Sequence, residues 1–353
     1  MKSFVFPGNL EPEIRSLGAI DVPYPRTDGF GQLVRRSHHR LANLTGAREG
    51  RVLSFTASGT GAIEALLAGW GPKWRRLLVL HAGTFGRRWL EMARHLGLES
   101  DGVDWPHHHE PPWHVIEAAL ATGRYDAALA VHHETSTGEL LDLARLGALC
   151  STANVRLLVD AIGSFLADPF TMDAWNVDAA ALSSQKGLCL PPGLSFLVTR
   201  PPLGPPADRS LSYYFDPARH FESFDRGQPP WSPAAQLYLQ LDARLGALAK
   251  VESTLEQVAA KARAFRESAT SRRWHPQARR PSACITALRF DAPAIPLVTA
   301  LADDGWFVLP SPDPTLVRVA HLGTATIDDH FELADRIARH AARLSLTPAP
   351  NAP

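Results

Sequence analysis

Residues 125–170 read YDAALAVHHETSTGELLDLARLGALCSTANVRLLVDAIGSFLADPF. Two unbroken apolar runs, at 127–131 and 157–159, flank a stretch whose leucines recur at helical spacing. Each run ends in small and polar residues, HHETSTG after the first and DAIGS after the second. A strand that alternates apolar with polar residues has one wet face. A strand that is apolar throughout is covered on both faces, the habit of a parallel sheet. The stretch therefore predicts strand, turn, helix, strand in a parallel α/β sheet, with Pro169 ending the unit.

The same order recurs on either side. RVLSFTASGTGAIEALLAGW (51–70) and RRLLVLHAGTFGRRWLEMARHLG (75–97) each give an apolar strand, a small-residue turn and a helix. VDAAALSSQKGLCLPPGLSFLVTR (177–200) gives two strands around a loop. Upstream, GQLVRRSHHRLANLTG (31–46) reads as an amphipathic helix ending at Gly46, with His38 and His39 on its surface. Downstream, 232–269 reads as one long helical stretch leading to short strands at 284–290, 306–310 and 316–321, with helices near 295–304 and 328–345. The expected fold class is α/β: a mostly parallel, seven-stranded-type sheet sandwiched by helices, plus a small α+β C-terminal domain. The expected divisions are an N-terminal arm at 1–30, a large domain at 31–245, the small domain at 246–345 and a disordered tail at 346–353. In such a sheet, functional residues gather at the carboxyl ends of the strands.

Composition narrows the function. The 36 acids balance 36 bases, so no whole-chain field favours nucleic acid or an anionic membrane. No run of eighteen apolar residues is present, which predicts no membrane span. Cys150, Cys189 and Cys284 are widely spaced and odd in number, which fits a reducing cytoplasm better than a disulfide framework. The histidines of PHHHEPPWH (106–114) lack the cysteine or acid spacing of a metal site, so no metal is expected.

Five short features carry possible chemistry, and each also has an ordinary structural explanation. Thr56–Ala62, TASGTGA, lets backbone amides converge on an anion at a helix start, or is a capped turn. Asp160 ends a buried strand, where a carboxylate needs a partner. Lys186 is one of only five lysines, and alone among them sits in a run of small and apolar residues; poor solvation there makes its amine easier to neutralise. Phe85, between glycines, offers a stacking face or fills a turn. Arg318, flanked by valines, offers a planar fork for a carboxylate or an inter-domain ion pair. Together and in this order they are the parts a pyridoxal phosphate enzyme uses.

With SGTGAIEALL, GTFGRRWLEMARHLG, VHHETSTGEL, LLVDAIGSF, SSQKGLCLPPGLSFLV and LVRVAHLG in sequence, residues 40–340 resemble the fold-type I pyridoxal-phosphate enzymes of the class V aminotransferase group. The pattern is most similar to the 2-aminoethylphosphonate–pyruvate and alanine–glyoxylate transaminases. The resemblance implies an aspartate aminotransferase-like large domain and pyridoxal 5'-phosphate as cofactor. It implies Lys186 as the Schiff-base lysine and Asp160 as the partner of the ring nitrogen. Phe85 and Ile162 would take the two ring faces, and Thr135 the side of the phenolic oxygen. Ser58, Gly59, Thr60 and Gln185 would hold the phosphate, and Arg318 the substrate carboxylate. It also implies a homodimer with the active site at the subunit interface, whose partner would contribute the loop GQPPW (227–231), with Gln228 where threonine is usual.

Departures fall on the substrate and partner sides. The family's Asn-Gly before the stacking residue is Ala82-Gly83, its Asn-Pro after ETxTGxL is Leu141-Asp142, and its proline-glycine-proline arm is FPGN (6–9). Tyr24, Arg26, Tyr213 and Tyr214 are candidates for shaping the pocket, and His133 for reaching it. The leading expectation is an aminotransferase acting on a small or biosynthetic amino acid. A C–S lyase or a decarboxylation-coupled deaminase of a cysteine conjugate would use the same core residues. A non-catalytic binding protein would not need both Lys186 and Asp160.

Overall fold

The computed structural model describes residues 1–106, 108–201, 203–206, 209–224, 226–248 and 250–349. The chain opens with β1 (Lys2–Ser3), α1 (Pro12–Leu17) and α2 (Asp28–Leu44). The central region follows as β2 (Arg51–Phe55), α3 (Gly59–Trp70), β3 (Leu77–His81), α4 (Thr84–His95), β4 (Ser100–Asp104), α5 (Trp113–Ala121) and β5 (Ala127–Val131). It continues with the hairpin β6 (His133–Glu134) and β7 (Glu139–Leu140), then α6 (Leu143–Thr152), β8 (Arg156–Asp160), β9 (Val177–Ser183) and β10 (Ser195–Thr199). After α7 (Pro217–Phe224), α8 (Ala235–Ala247) and α9 (Val251–Ser271) come β11 (Ile285–Arg289), α10 (Ile295–Asp303), β12 (Trp306–Phe307), β13 (Leu309–Pro310), β14 (Leu316–Ala320) and α11 (Ile327–Arg343).

Seven strands form the main sheet in the order β2-β10-β9-β8-β5-β3-β4. β9, β8, β5, β3 and β4 run parallel, and β10 is antiparallel to both of its neighbours. Two reversals in succession leave β2 pointing the same way as β9. The carboxyl ends of β2, β3, β5, β8 and β9 therefore share one edge, and that edge carries the turns singled out from sequence. β3, β5 and β9 are buried at every position. Their residues alternate between two cores: Leu78, Leu80, Ala128 and Ala130 face one, Leu77, Val79, Ala127 and Leu129 the other. The continuous apolar run is thus a two-faced strand, each face covered by helices.

A second, antiparallel sheet, β11-β14-β13, packs against α9, α10 and α11 around Phe265, Leu288, Phe290, Leu333 and Ile337. The first residues join it: β1 pairs with β12, the Phe4 carbonyl accepts from Ala320 N at 2.9 Å, and Phe4 is fully buried. At the other end Leu346 is buried and Thr347 N donates to Asp291 Oδ1 at 2.9 Å; residues 350–353 of the expected tail lie outside the described residues.

Several sequence expectations change. The helix predicted over 31–46 runs over 28–44, because Thr27 caps it by accepting from Phe30 N. His38 is buried instead of lying on the surface: its Nε2 meets Ser54 Oγ at 3.0 Å, and the ring stacks near Phe224. The single helical stretch of 232–269 is two helices, interrupted after Ala247, where Leu248 turns extended. β4, with the polar sequence SDGVD, was not apparent from sequence; as an edge strand it gains its ladder from β3 alone. No helix among the described residues is long and apolar enough to cross a membrane.

Candidate active site

Asp160 closes β8 and is 3% exposed. Its Oδ2 accepts from the indole Nε1 of Trp89 at 2.8 Å, and its Oδ1 accepts from Ile162 N at 2.9 Å. Burial pushes its pKa up to about 7, against the pull of these two donors. Among the described residues no cation forms an ion pair with it, so the site holds a carboxylate whose charge wants a donor.

Lys186 follows β9 on the same edge. Burial lowers its amine to about 8. The Phe6 ring lies against it, with Nζ 3.4 Å from the ring centroid. An amine that is neutral for part of the time near neutral pH attacks carbonyl carbon and carries protons.

Ser58 is the N-cap of the twelve-residue α3 and makes no capping bond with its side chain, so its hydroxyl and the first amides of the helix face an open turn. Gly59 is required here: a Cβ would lie 2.9 Å from Ile162 Cγ1 and closer still to Cδ1. Thr60 continues the turn, half-buried. Gln185 Oε1 is buried without a hydrogen-bond partner among the described residues; turned over, the same amide presents Nε2, a donor suited to an oxyanion. Phe85 is half-buried, with the Arg88 guanidinium 4.8 Å from its ring centroid. Thr135 is buried, and its carbonyl accepts from Arg318 Nη1 at 2.7 Å. Arg318 also donates through Nε and Nη2 to the Pro310 carbonyl. Two carbonyls thus aim a cation that is bonded to no carboxylate among the described residues.

The fold brings Ser58, Gly59, Thr60, Phe85, Thr135, Asp160, Ile162, Gln185, Lys186 and Arg318 to the edge where the strands end. Gln228 sits elsewhere in this chain, in a pocket with Val34, His38, Ser54 and His220. Arg26 binds that loop through the Pro229 carbonyl at 3.0 Å. Tyr24 and Tyr213 are each 69% exposed and Tyr214 40%. His133 is buried, with Nδ1 3.0 Å from the Gly163 carbonyl, and burial drops it to about 3, a neutral ring. His107 lies outside the described residues.

Three contributors were missed by sequence reasoning. Trp89 lies four residues after Phe85 on α4, so a helical wheel places both on one face. Glu134 stood inside the quoted ETSTG: its Oε2 accepts from Phe85 N at 3.1 Å and Gly86 N at 3.3 Å, and its Oε1 from Ser136 Oγ at 2.5 Å. It pins the positive end of α4, and with it Phe85. Phe6, 180 residues from Lys186, left no local signal.

These residues fit pyridoxal phosphate. The buried Asp160, free of any ion pair among the described residues, matches a protonated ring nitrogen, the turn before α3 matches a phosphate, and Ile162 and Phe85 offer partly buried apolar faces.

The family Aminotransferase class-V matches residues 24–211. Among curated proteins, the soluble hydrogenase 42 kDa subunit of Anabaena cylindrica is 29% identical over 231 residues, 64% of this chain and 60% of that protein. The L-aspartate–glyoxylate aminotransferase of Paracoccus denitrificans is 28% identical over 246 residues, 67% of this chain and 62% of that one. The chain thus spans less than two thirds of the length of these relatives. Among solved structures, an aspartate aminotransferase of subgroup IV from Thermus thermophilus superposes with a TM-score of 0.88 at 28% identity, covering 97% of this chain and 99% of that one.

Proposed function

This chain belongs to the class-V aminotransferase family, and from that premise we propose that it transfers an amino group between a small amino acid and a 2-oxo acid, with pyridoxal phosphate held at Lys186. One observation carries the reading: an amine lowered to about 8, a buried carboxylate without a cation and a glycine-bearing helix start end on one sheet edge. Bound there, pyridoxal phosphate supplies an electron sink for the bonds at a substrate's Cα. Asp160 holds the ring-nitrogen proton, fixed in place by Trp89 and the Ile162 amide. Ser58, Gly59 and Thr60 bind the phosphate with amides and hydroxyls, assisted by Gln185. Ile162 and Phe85 exclude water from the two ring faces. Arg318 grips the carboxylate of amino acid and oxo acid alike, which places Cα near Lys186. Lys186 Nζ, freed when the substrate amine takes its place, would take the proton from Cα of the amino donor and, in the reverse half, would give one to Cα of the new amino acid formed from the oxo acid.

The aromatic cluster of exposed Tyr213 and Tyr214, before α7, and half-buried Trp231, after it, supports a homodimer. Tyr213 and Trp231 lie 5.2 Å apart, Tyr214 and Trp231 6.0 Å apart, and an exposed aromatic cluster of this kind marks an interface. Gln228 stands in the same loop region, where a partner copy would bring it to the phosphate.

The test is to load the protein with pyridoxal phosphate, reduce with borohydride and map the label by peptide mass spectrometry. A panel of amino acids is then assayed with pyruvate and glyoxylate. A pyridoxyl group on Lys186 and oxo-acid formation that depends on an acceptor support the reading. A label elsewhere, or products released without an acceptor, defeats it.

A further inference from the structure

Behind the lysine loop lies a cavity of about 230 Å³ lined by Gly187, Cys189, Arg244, Lys250, Gln257 and Lys261, among others. Its charges are unbalanced. Three cations face one carboxylate, Glu11, which already accepts from Arg244 Nη1 at 2.8 Å. Arg244, with its side chain 12% exposed, is therefore satisfied. Lys261 is not: its Nζ donates to the Gly323 carbonyl at 2.8 Å, and among the described residues it forms no ion pair. Lys250 has no carboxylate among them either. It is the N-cap of the 21-residue α9, whose leading amides receive no side-chain cap. Ser253, Thr254, Gln257 and Lys261 lie along one face of that helix and all line the cavity. Two ammonium groups that form no ion pair among the described residues, the positive end of a long helix and a row of polar side chains line one partly enclosed space, with Glu11 and Asp329 acting on Lys261 only at longer range.

We propose that this cavity binds a small dianion, either an inorganic oxyanion or a short dicarboxylate, clamped between Lys250 and Lys261. The site is distinct from the turn before α3 and from Arg318, so it stands whether or not the cofactor reading does. Its position gives occupancy a consequence. Gly187 and Cys189 form one wall, and Arg244 Nε donates to the Leu188 carbonyl at 3.1 Å. A bound dianion ties α9 to the loop that carries Lys186, and binding to the folded state alone raises the melting temperature.

The experiment is calorimetric titration of the full chain with sulfate and, separately, succinate, alongside melting curves. Gln257→Glu adds a negative charge on an exposed helix position without disturbing packed side chains, and Lys261→Met removes the central cation. Arg318→Gln is the control for anion binding at the substrate position, and Ser58→Ala for binding at the α3 turn. With the protein loaded with pyridoxal phosphate, we expect one binding component that both cavity variants weaken by roughly tenfold or more and that neither control changes. Sulfate alone identifies an oxyanion site and succinate alone a dicarboxylate site. The proposal is overturned if neither anion binds, or if no binding component is weakened by Gln257→Glu and Lys261→Met. Circular dichroism of each variant separates lost binding from lost fold.

Discussion

Trp89→Phe isolates the bond that holds Asp160. The indole Nε1 donates to Oδ2 at 2.8 Å, and Trp89 is 1% exposed. A hydrogen bond to a charged group contributes about 1.5–3 kcal/mol, and the smaller ring leaves a cavity worth about 1 kcal/mol more. The variant should lose about 3 kcal/mol, and a double-mutant cycle with Asp160→Ala removes the cavity contribution. At pH 8, above the value of about 7 for Asp160, the carboxylate is ionised, and the coupling should be about 2 kcal/mol. At pH 5.5 the folded-state carboxyl is neutral, and the coupling should fall to about 1 kcal/mol. Trp89 donates to the ionised form and pulls the Asp160 pKa down, so this coupling grows as pH climbs through about 7, while burial acts the other way on the residue as a whole. Asp160 has a raised pKa in the fold, so its contribution to stability is full below the unfolded value of about 4 and is lost as pH climbs through about 7. Urea unfolding of the four cofactor-free proteins at both pH values measures this, and costs common to all four cancel. A coupling below about 0.5 kcal/mol at pH 8, or one equal at both pH values, refutes the assignment of Trp89 as the residue that holds an ionised Asp160.

Further outcomes follow from the same geometry. Gly59→Ala forces a methyl into Ile162 and should cost about 1–3 kcal/mol; equilibrium dialysis should show at least tenfold weaker pyridoxal phosphate binding with unchanged circular dichroism, and unaltered affinity would sink the close-packing argument. Arg318→Lys loses the planar fork, and kcat/KM should drop by about 100-fold, carried mainly by KM; a fall confined to kcat would place Arg318 away from the substrate carboxylate. His38, His132, His133, His220, His321 and His330 are buried and held below their ordinary pKa, mainly by burial. Their stabilisation is therefore full above about pH 6.5 and is lost as pH falls, by up to about 2 kcal/mol each between pH 7 and 5. Melting curves should show a steep drop across that interval, and a flat profile contradicts the neutral-histidine assignment. Tyr213→Glu, in the aromatic cluster with Trp231, tests the proposed homodimer: sedimentation should move from dimer to folded monomer, and a wild-type monomer would refute it.

Local physics made much of this protein legible. Unbroken apolar runs such as AALAV and LLV announce strands covered on both faces, because burial is recorded at every position of the run. Small residues in TASGTGA announce a helix start open to an anion, because side chains there would fill the turn. Lys186 stood out because a lysine in an apolar run is costly unless it serves a purpose. His38 was misplaced because a solvent-facing histidine and one bonded to Ser54 look alike on a helical wheel. The break after Ala247 was missed because the residues on both sides favour helix.

The sequence by itself determined the sheet apart from its polar edge strand β4, the order of its turns and the identity of the residues at the strand ends, since each depends on neighbours a few positions away. Only the tertiary structure decided what those residues meet. Trp89 against Asp160 is a contact across 71 residues, and Phe6 over Lys186 one across 180. So is the balance of charge behind the lysine loop, where Glu11 neutralises Arg244 and leaves Lys250 and Lys261 to a ligand. Long-range partners set desolvation and charge pairing, and these, more than residue type, fix the protonation of Asp160 and Lys186.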